Sequence, residues 1–186
     1  LLGFSTSGKL NFAICYVDTE RNIKNQVPYS LQQIKIKAGF EAGEDLPNFE
    51  GISLLEVERN QRFEALNEYI NFVRGIYSEH LIIVLDVITD CINSFNDTTE
   101  SMKLIDLMNL CINKHDVTFI CLIHENPGAG SEKARGHLGT EITNKASTVI
   151  QVGFEKGSDI IKINFIKCRN SKRPMPTYVF YSDIEK

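Results

Sequence analysis

The sequence predicts an α/β fold in which a largely parallel central sheet is followed by antiparallel strands. Three observations support this class. Apolar runs of strand length alternate with segments of helical spacing over most of the chain, which is typical of strand–helix–strand units. The runs at 81–86 and 117–125 lack polar alternation, as expected for strands buried on both faces. The segment 147–182 contains strand-like runs only. A chain of 186 residues is predicted to form a single domain over 1–186.

The elements of the first part follow from apolar runs and from residues that begin or end helices. FAICYVD at 12–18 is the first strand. The helix at 28–39 begins with Pro28, which suits a first turn, and ends at Gly39, which suits a C-terminal stop. ISLLEV at 52–57 is the second predicted strand.

A longer helix is predicted at 62–77, because apolar residues recur there at helical spacing. The predicted apolar face consists of Phe63, Leu66, Ile70, Phe72, Val73 and Ile76. The strand LIIVLD at 81–86, a helix at 99–114 and the strand VTFICLIHE at 117–125 follow it. The alternation of strand and helix therefore continues through the middle of the chain.

The last part of the chain is predicted to contain a short helix and three strands. The helix TEITNKA lies at 140–146, and the strands lie at 147–152, 160–168 and 177–182. Because only short turns separate these strands, we expect them to pair as hairpins at the edge of the sheet.

The opening stretch GFSTSGKL is close to the phosphate-binding pattern G-x-x-x-x-G-K-[ST]. A working loop of this kind leaves a strand and begins a helix. Here Leu10 replaces the hydroxyl residue that would bind Mg²⁺, and a strand begins at Phe12 with no room for the helix. We therefore interpret Lys9 as part of a glycine and serine turn before the first strand, and not as a phosphate-binding lysine.

Composition excludes several classes of protein. No apolar run approaches the roughly 20 residues of a membrane helix, so no membrane association is predicted. The five cysteines form no C-x-x-C pair, which favours free thiols in the cytoplasm over disulfides or zinc ligands. A net charge of −4 is not that of a protein that coats nucleic acid.

Three predicted strands end in polar residues. Asp18 ends the strand at 12–18, with Glu20 just beyond it, Asp86 ends the strand at 81–86, and His124 lies at the end of the strand at 117–125. In open α/β sheets ligands bind beyond the carboxyl ends of the strands. An acid after four hydrophobic residues has the form of a Walker B carboxylate, which holds Mg²⁺, and a second acid could act as general base. This division of roles is what a nucleoside triphosphatase needs.

Several motifs together resemble a known family. RGHLGTEITNKASTVIQV follows a strand ending IHEN, with IVLDVITD and YVDTE upstream. This arrangement is similar to the RecA-fold ATPases related to the RepA and DnaB hexameric helicases, in versions carried by mobilisable elements of Bacteroides-type bacteria. The resemblance covers residues 13–173. It implies a RecA-like P-loop NTPase core that uses ATP and Mg²⁺. In that family the phosphate loop and a helix precede the D-T-E strand, so the resemblance implies that the N-terminal part is incomplete here and that this chain alone is inactive.

The resemblance implies roles for four residues at the strand ends. Glu20 would be the catalytic base, and Asp86 the Walker B residue that binds the cofactor through its metal. His124 and Glu125 fall where the family places a polar sensor of the γ-phosphate. Glu125 departs from that pattern, because an acid repels phosphate unless it is protonated or paired. The alternative for His124 is a histidine that only forms hydrogen bonds at a strand end.

The glycine-rich loop NPGAGSEKARGH at 126–137 carries the basic residues Lys133, Arg135 and His137. In RecA-like rings the corresponding loop faces the channel, so the resemblance implies contact with single-stranded DNA through its phosphates. The alternative is a mobile surface loop with no ligand.

The basic stretch KCRNSKRP at 167–174 follows the second C-terminal strand. Its Lys167 and Arg169 resemble the DnaB-type element that reaches a neighbouring subunit's ATP site, where an arginine stabilises transition-state charge. Such a residue requires a homo-oligomeric ring, and the family implies a hexamer. The alternative is a solvated basic turn.

Three functions remain as hypotheses from the sequence. The first is an ATP-dependent DNA helicase or translocase subunit that acts on single-stranded DNA in replication or mobilisation of a mobile element. The second is a RecA-fold regulatory or assembly module that binds nucleotide or a partner without unwinding DNA. The third is a metal-dependent hydrolase that uses Asp18, Asp86, Asp90 and His124, for which no close ligand spacing is present.

Overall fold

The computed structural model describes residues 11–126, 133–155 and 157–180. GFSTSGKL, with Lys9, lies outside this part of the chain. The described residues divide into two compact units, one within Lys9–Glu141 and one within Ile142–Lys186. The single domain expected over 1–186 stays a prediction.

The first unit contains a four-stranded sheet in which every neighbouring pair is parallel. The strand order is β2-β1-β3-β4. The strands are β1 (Phe12–Asp18), β2 (Phe49–Ser53), β3 (His80–Asp86) and β4 (Val117–Cys121). The prediction of a largely parallel central sheet is confirmed.

Helices connect these strands, as parallel pairing requires. They are α1 (Gln26–Lys37), α2 (Arg62–Ile76) and α3 (Thr98–His115), with short 3₁₀ turns at Arg59–Gln61 and Ile88–Cys91. A fourth helix, α4 (Gly136–Lys145), follows β4 in the chain. The predicted helices at 28–39, 62–77 and 99–114 are therefore confirmed to within two residues at each end. The helix predicted at 140–146 begins earlier, at Gly136, so His137 lies in its first turn and not in a loop.

Two predicted strands were misplaced. The second strand ends at Ser53, because its pairing with β1 runs only from Ile14↔Phe49 to Asp18↔Ser53. The fourth strand ends at Cys121, four residues before the predicted end, and its Ile120 side chain is 49% exposed. In the described part of the chain β4 pairs only with β3 and is therefore an edge strand, and the exposure of Ile120 shows that its apolar run is not buried on both faces.

The core of the first unit lies between the sheet and its helices. Leu81, Ile83 and Leu85 of β3 are fully buried, as are Leu66 and Ile70 of α2. These side chains follow the two-residue period of a strand and the four-residue step of a helix face.

The predicted apolar face of α2 was partly wrong. Phe72 is 62% exposed and Ile76 is 52% exposed. Phe72 lies two residues after the buried Ile70, and residues two apart do not share a helix face.

The second unit contains an antiparallel sheet of order β5-β6-β7. Its strands are β5 (Thr148–Phe154), β6 (Ile160–Cys168) and β7 (Thr177–Phe180), and Ile163 and Phe165 of β6 are buried. The antiparallel C-terminal strands are confirmed, although among the described residues they form a sheet of their own and not an edge of the parallel sheet. Within the described ranges no helix has both the length and the apolar character needed to span a membrane.

Candidate functional site

Two buried carboxylates meet at the carboxyl edge of the parallel sheet. Asp18 and Asp86 are the last residues of β1 and β3, and they lie opposite one another in the strand register. Asp18 is 0% exposed and Asp86 is 4% exposed. This edge is where open α/β sheets bind ligands.

A single guanidinium nitrogen joins the two acids. Nη1 of Arg21 lies 2.5 Å from Asp18 Oδ2 and 2.6 Å from Asp86 Oδ2. The same nitrogen donates to the hydroxyl of Tyr16 at 2.8 Å, and that hydroxyl donates to Asp86 Oδ2. We call these four residues the Arg21 cluster. The sequence analysis missed Arg21 and Tyr16, because their partner Asp86 lies 65 and 70 residues away in the chain.

Burial and ion pairing perturb the pKa values of the Arg21 cluster. Burial raises the pKa of Tyr16 above its ordinary value, and the hydrogen bond to Asp86 raises it further. Burial alone would lower the pKa of Arg21, but the bonds to Asp86 and Asp18 outweigh it and the pKa is raised. Tyr16 therefore stays a neutral donor and Arg21 stays a cation at physiological pH.

Hydrogen bonds of Thr19 hold together the two strand ends that carry these acids. The hydroxyl of the fully buried Thr19 donates to the carbonyl of Val87 at 3.0 Å and accepts from the amide of Val87 at 2.8 Å. The amide of Thr19 donates to the carbonyl of Asp86 at 2.9 Å. Strand pairing is thereby continued one residue beyond each carboxylate, which holds the two strand ends together.

Glu20 and His124 form a second, more exposed pair at the same edge. His124 Nε2 lies 3.3 Å from Glu20 Oε1, and the side chains are 57% and 43% exposed. An exposed carboxylate at this place can reach solvent, as a general base must. The structure thus brings together the two residues predicted as base and sensor, while their roles stay predictions.

The backbone beyond His124 pairs with the segment that leads into α4. The amide of Arg135 donates to the carbonyl of His124 at 2.9 Å, and Glu125 forms an isolated antiparallel bridge with Ala134. Glu125 is exposed, and its predicted sensor role stays a prediction. The predicted DNA-binding loop lies partly outside the described residues, since 127–132 fall there.

Two glycines allow close packing where the chain enters α4. Gly136 has a φ of 73°, and a Cβ there would lie 2.4 Å from the ring of Phe95. A Cβ on Gly139 would lie 2.6 Å from the backbone of Ala134. Only glycine allows this close approach. The guanidinium of Arg135 lies 4.8 Å from the centre of the Phe95 ring, in a cation–π contact.

The other predicted DNA-binding residues lie near this turn. Lys133 is exposed, and His137 is half-buried in the first turn of α4. Arg135 is exposed as well. Contact of these residues with DNA stays a prediction.

Lys167 and Arg169 contact the C-terminal end of α4 within their own unit. Lys167 Nζ donates to the carbonyls of Thr143 and Asn144, both at 2.8 Å. Arg169 Nη2 donates to the carbonyl of Asn144 at 2.6 Å. Cations commonly bind the last carbonyls of a helix. Desolvation and the nearby charge of Arg169 lower the pKa of Lys167.

The acids at this edge are of the type that binds Mg²⁺, but Asp86 is already bound by other side chains. Carboxylate oxygens are the ligands that Mg²⁺ prefers. Asp86 Oδ2, however, already accepts from Tyr16 and Arg21. Within 11–126, 133–155 and 157–180, no three His, Cys, Asp or Glu residues are grouped so as to hold a metal ion.

Comparison with solved structures identifies the fold. The RadB recombinase has a TM-score of 0.56 at 14% identity, covering 90% of this chain and 74% of that one. The flagellar accessory protein FlaH from Methanocaldococcus jannaschii has a TM-score of 0.55 at 14% identity, covering 91% and 72%. The chain has a RecA-like fold. The fold predicted from the sequence is therefore confirmed.

Comparisons by sequence add nothing to this result. No family model matches the chain, and no curated protein matches it. An identity of 14% shows a shared fold and carries no function.

Proposed function

We propose that the chain is the ATP-hydrolysing module of a RecA-type helicase or translocase that acts on single-stranded DNA in replication or mobilisation of a mobile element. One observation carries the ATPase part of this proposal. Asp86 and Glu20 lie at the carboxyl edge of adjacent parallel strands in a RecA-like fold. A metal-binding acid and a general base are needed there for phosphoryl transfer to water.

The residues at this edge have distinct roles in the proposal. Asp86 would hold Mg²⁺, and the bound ion would neutralise charge on the ATP phosphates. Glu20 would orient the attacking water and accept its proton. His124, 3.3 Å from Glu20, would hold that carboxylate in place and contact the γ-phosphate, with Glu125 beside it.

The DNA and ring parts of the proposal use residues away from this edge. Lys133, Arg135 and His137 would contact DNA phosphates, which requires no sequence readout. Arg169, helped by Lys167, would complete the ATP site of a neighbouring subunit in a hexameric ring. For this, Arg169 must release the carbonyl of Asn144 that it now contacts.

A regulatory or assembly module is the second candidate. The observation that favours it is the Arg21 cluster, in which a guanidinium contacts the carboxylate assigned to Mg²⁺. The two similar structures also differ in their named roles, one a recombinase and the other a flagellar accessory protein.

Substitution of the base tests the ATPase proposal. In the full-length protein, Glu20→Gln should abolish ATP turnover while ATP binding is retained, because the amide keeps the shape and loses the base. Glu64→Gln is the matched control, since Glu64 is an exposed acid on α2. Turnover by Glu20→Gln at the parental rate would show that the base is misassigned.

Two binding measurements separate the candidate functions. We expect the 186-residue chain to bind ATP and Mg²⁺ weakly or not at all by calorimetry, because GFSTSGKL departs from the phosphate-loop pattern at Leu10 and is followed by the strand that begins at Phe12. ATP-dependent strand separation by the full-length protein would favour the helicase. Nucleotide binding without strand separation would favour the regulatory module.

Mixing experiments test the ring. Arg169→Ala and Glu20→Gln subunits should each be inactive alone, with a loss of order 10³ or more for the arginine if it resembles other arginine fingers. Mixed rings should regain part of the ATPase activity, because some interfaces combine an intact base with an intact arginine. Activity that stays at the mutant level across all mixing ratios would place Arg169 in its own subunit.

A further inference from the structure

The charge of the Arg21 cluster is unbalanced. Asp18 and Asp86 contribute two negative charges in a buried place, and Arg21 contributes one positive charge. A buried charge is costly unless it is paired. One negative charge therefore has no cationic partner and is stabilised only by hydrogen bonds, from the amides of Glu20 and Arg21 to Asp18 and from the Tyr16 hydroxyl to Asp86. A divalent cation in place of the guanidinium would balance both acids.

The contacts that bind the Arg21 guanidinium in this cluster all involve one of its nitrogens. Asp18 Oδ2, Asp86 Oδ2 and the Tyr16 hydroxyl all contact the same nitrogen, Nη1. That nitrogen carries two hydrogens, so it cannot donate well to three acceptors at once. The strong two-nitrogen fork of an arginine–carboxylate pair is not used here.

The guanidinium can leave without a change in the backbone. Arg21 lies in a bend after β1, and its side chain is 36% exposed. Its amide donates to Asp18 Oδ1 at 2.8 Å, and the amide of Val27 donates to the carbonyl of Asn22 at 3.0 Å. These bonds hold the loop on both sides of the arginine, so rotation about side-chain bonds is sufficient to move the guanidinium into solvent.

We propose that Arg21 is the counter-ion of the Asp18–Asp86 pair and that a divalent cation displaces its guanidinium when the cation binds to these acids. The site then has two states, one with Arg21 bound to the acids and one with the cation bound and Arg21 in solvent. The proposal rests on the proposed function only in assigning a cation to Asp86. It assigns to Arg21 control over when that cation binds.

Binding of Mn²⁺ without nucleotide tests this exchange. The free Mn²⁺ signal in electron paramagnetic resonance gives the affinity for the chain. Arg21→Gln should bind Mn²⁺ tighter than the parent by about tenfold or more, which corresponds to about 1.4 kcal/mol. Arg59→Gln is the matched control, because Arg59 pairs with Asp90 at 3.1 Å outside the cluster. Equal affinities of Arg21→Gln and the parent would overturn the proposal.

Two further measurements test the proposal if Arg21→Gln fails to fold or if the cation binds at another site. In the unsubstituted chain, Mg²⁺ should shift the side-chain Nε resonance of Arg21 in nitrogen NMR, and an unchanged resonance at saturating Mg²⁺ would contradict the exchange. Adding Asp86→Asn to Arg21→Gln should remove the gain in Mn²⁺ affinity. A gain that survives would place the cation at another site.

The outcomes separate this proposal from the ATPase proposal. Tighter Mn²⁺ binding by Arg21→Gln in a protein that never hydrolyses ATP would support the exchange and reject the ATPase. Hydrolysis that depends on Glu20, with Mn²⁺ affinity unaffected by Arg21→Gln, would support the ATPase and reject the exchange.

Discussion

Two arginine clusters in the first unit use opposite charge ratios. In the Arg21 cluster one arginine lies between two acids, Asp18 and Asp86. In the second, which we call the Asp90 cluster, one acid lies between two arginines, with Arg59 at 3.1 Å and Arg62 at 3.8 Å. The first has excess negative charge and the second has excess positive charge.

The excess charge is treated differently in the two clusters. Arg62 is 6% exposed and uses all three of its nitrogens, donating to the carbonyls of Val57, Asp90 and Leu55 at 3.0 to 3.3 Å. The Asp90 cluster thus satisfies its extra cation with backbone oxygens. The Arg21 cluster offsets its extra anion with hydrogen-bond donors, the amides of Glu20 and Arg21 at Asp18 and the hydroxyl of Tyr16 at Asp86, and with no second cation. Arg62 is buried and held through three nitrogens, whereas Arg21 is held in its cluster through one, which indicates a structural role for Arg62 and agrees with the exchange proposed for Arg21.

The largest effect on stability is expected for Arg62→Met. This change keeps the aliphatic length but removes the donors to three carbonyls, and loss of partners for partly buried acceptors should cost about 3 kcal/mol. Urea unfolding measures it. A loss below about 1 kcal/mol would show that the Asp90 cluster is no more structural than a surface ion pair.

A smaller effect is expected for Asp18→Asn, of about 1 to 2 kcal/mol by urea unfolding. The asparagine oxygen can still accept from the amides of Glu20 and Arg21, and Arg21 keeps Asp86 as its partner. A gain in stability would mean that repulsion between the two acids exceeds the contribution of Arg21.

The pH dependence of stability tests the environment of Tyr16. Its pKa is raised in the folded chain, so its contribution is fully present below the unfolded value of about 10 and is lost as pH rises above it. Tyr16→Phe should therefore weaken the fall in unfolding free energy between about pH 10 and 11, by at most about 1.4 kcal/mol per pH unit. An unchanged slope would show that neither burial nor the bond to Asp86 raises the pKa of Tyr16 in the folded chain.

The smallest effect is expected for Arg59→Gln. Its side chain is 44% exposed, and an exposed ion pair contributes at most about 1 kcal/mol. The loss should shrink at high salt, because ions screen exposed pairs. A loss as large as that of Arg62→Met would remove the difference between the two arginines of the Asp90 cluster.

The sequence predicted the bounds of a strand well where the strand coincides with a single apolar run. The bounds of β1 and β6 were predicted to the residue, and β3 begins one residue before the predicted start. β2 was misplaced because its pairing with β1 sets its bounds, and ISLLEV alone does not show that register. Local patterns cannot report which residues face one another across a sheet.

The same limit applies to the candidate site. Asp86 and Glu20 were proposed from the sequence because an acid at the end of an apolar strand is a local signal, and their roles stay predictions. Arg21 could not be proposed in this way, because its contact with Asp86 depends on the alignment of β1 with β3. The basic character of Lys167 and Arg169 was visible, but their carbonyl partners at the end of α4 were not.

The reciprocal bonds between Thr19 and Val87 make this edge observable by hydrogen exchange. The amide of Val87 donates to a hydroxyl that is itself fully buried, so its proton can exchange with solvent only when the ends of β1 and β3 separate. Its exchange rate would therefore report local opening of the carboxylate edge. An amide in the middle of β3 provides the reference for global unfolding. The rate at Val87 relative to its intrinsic exchange rate gives the free energy of opening the edge, and comparison with the β3 amide shows whether that opening is separate from unfolding of the chain.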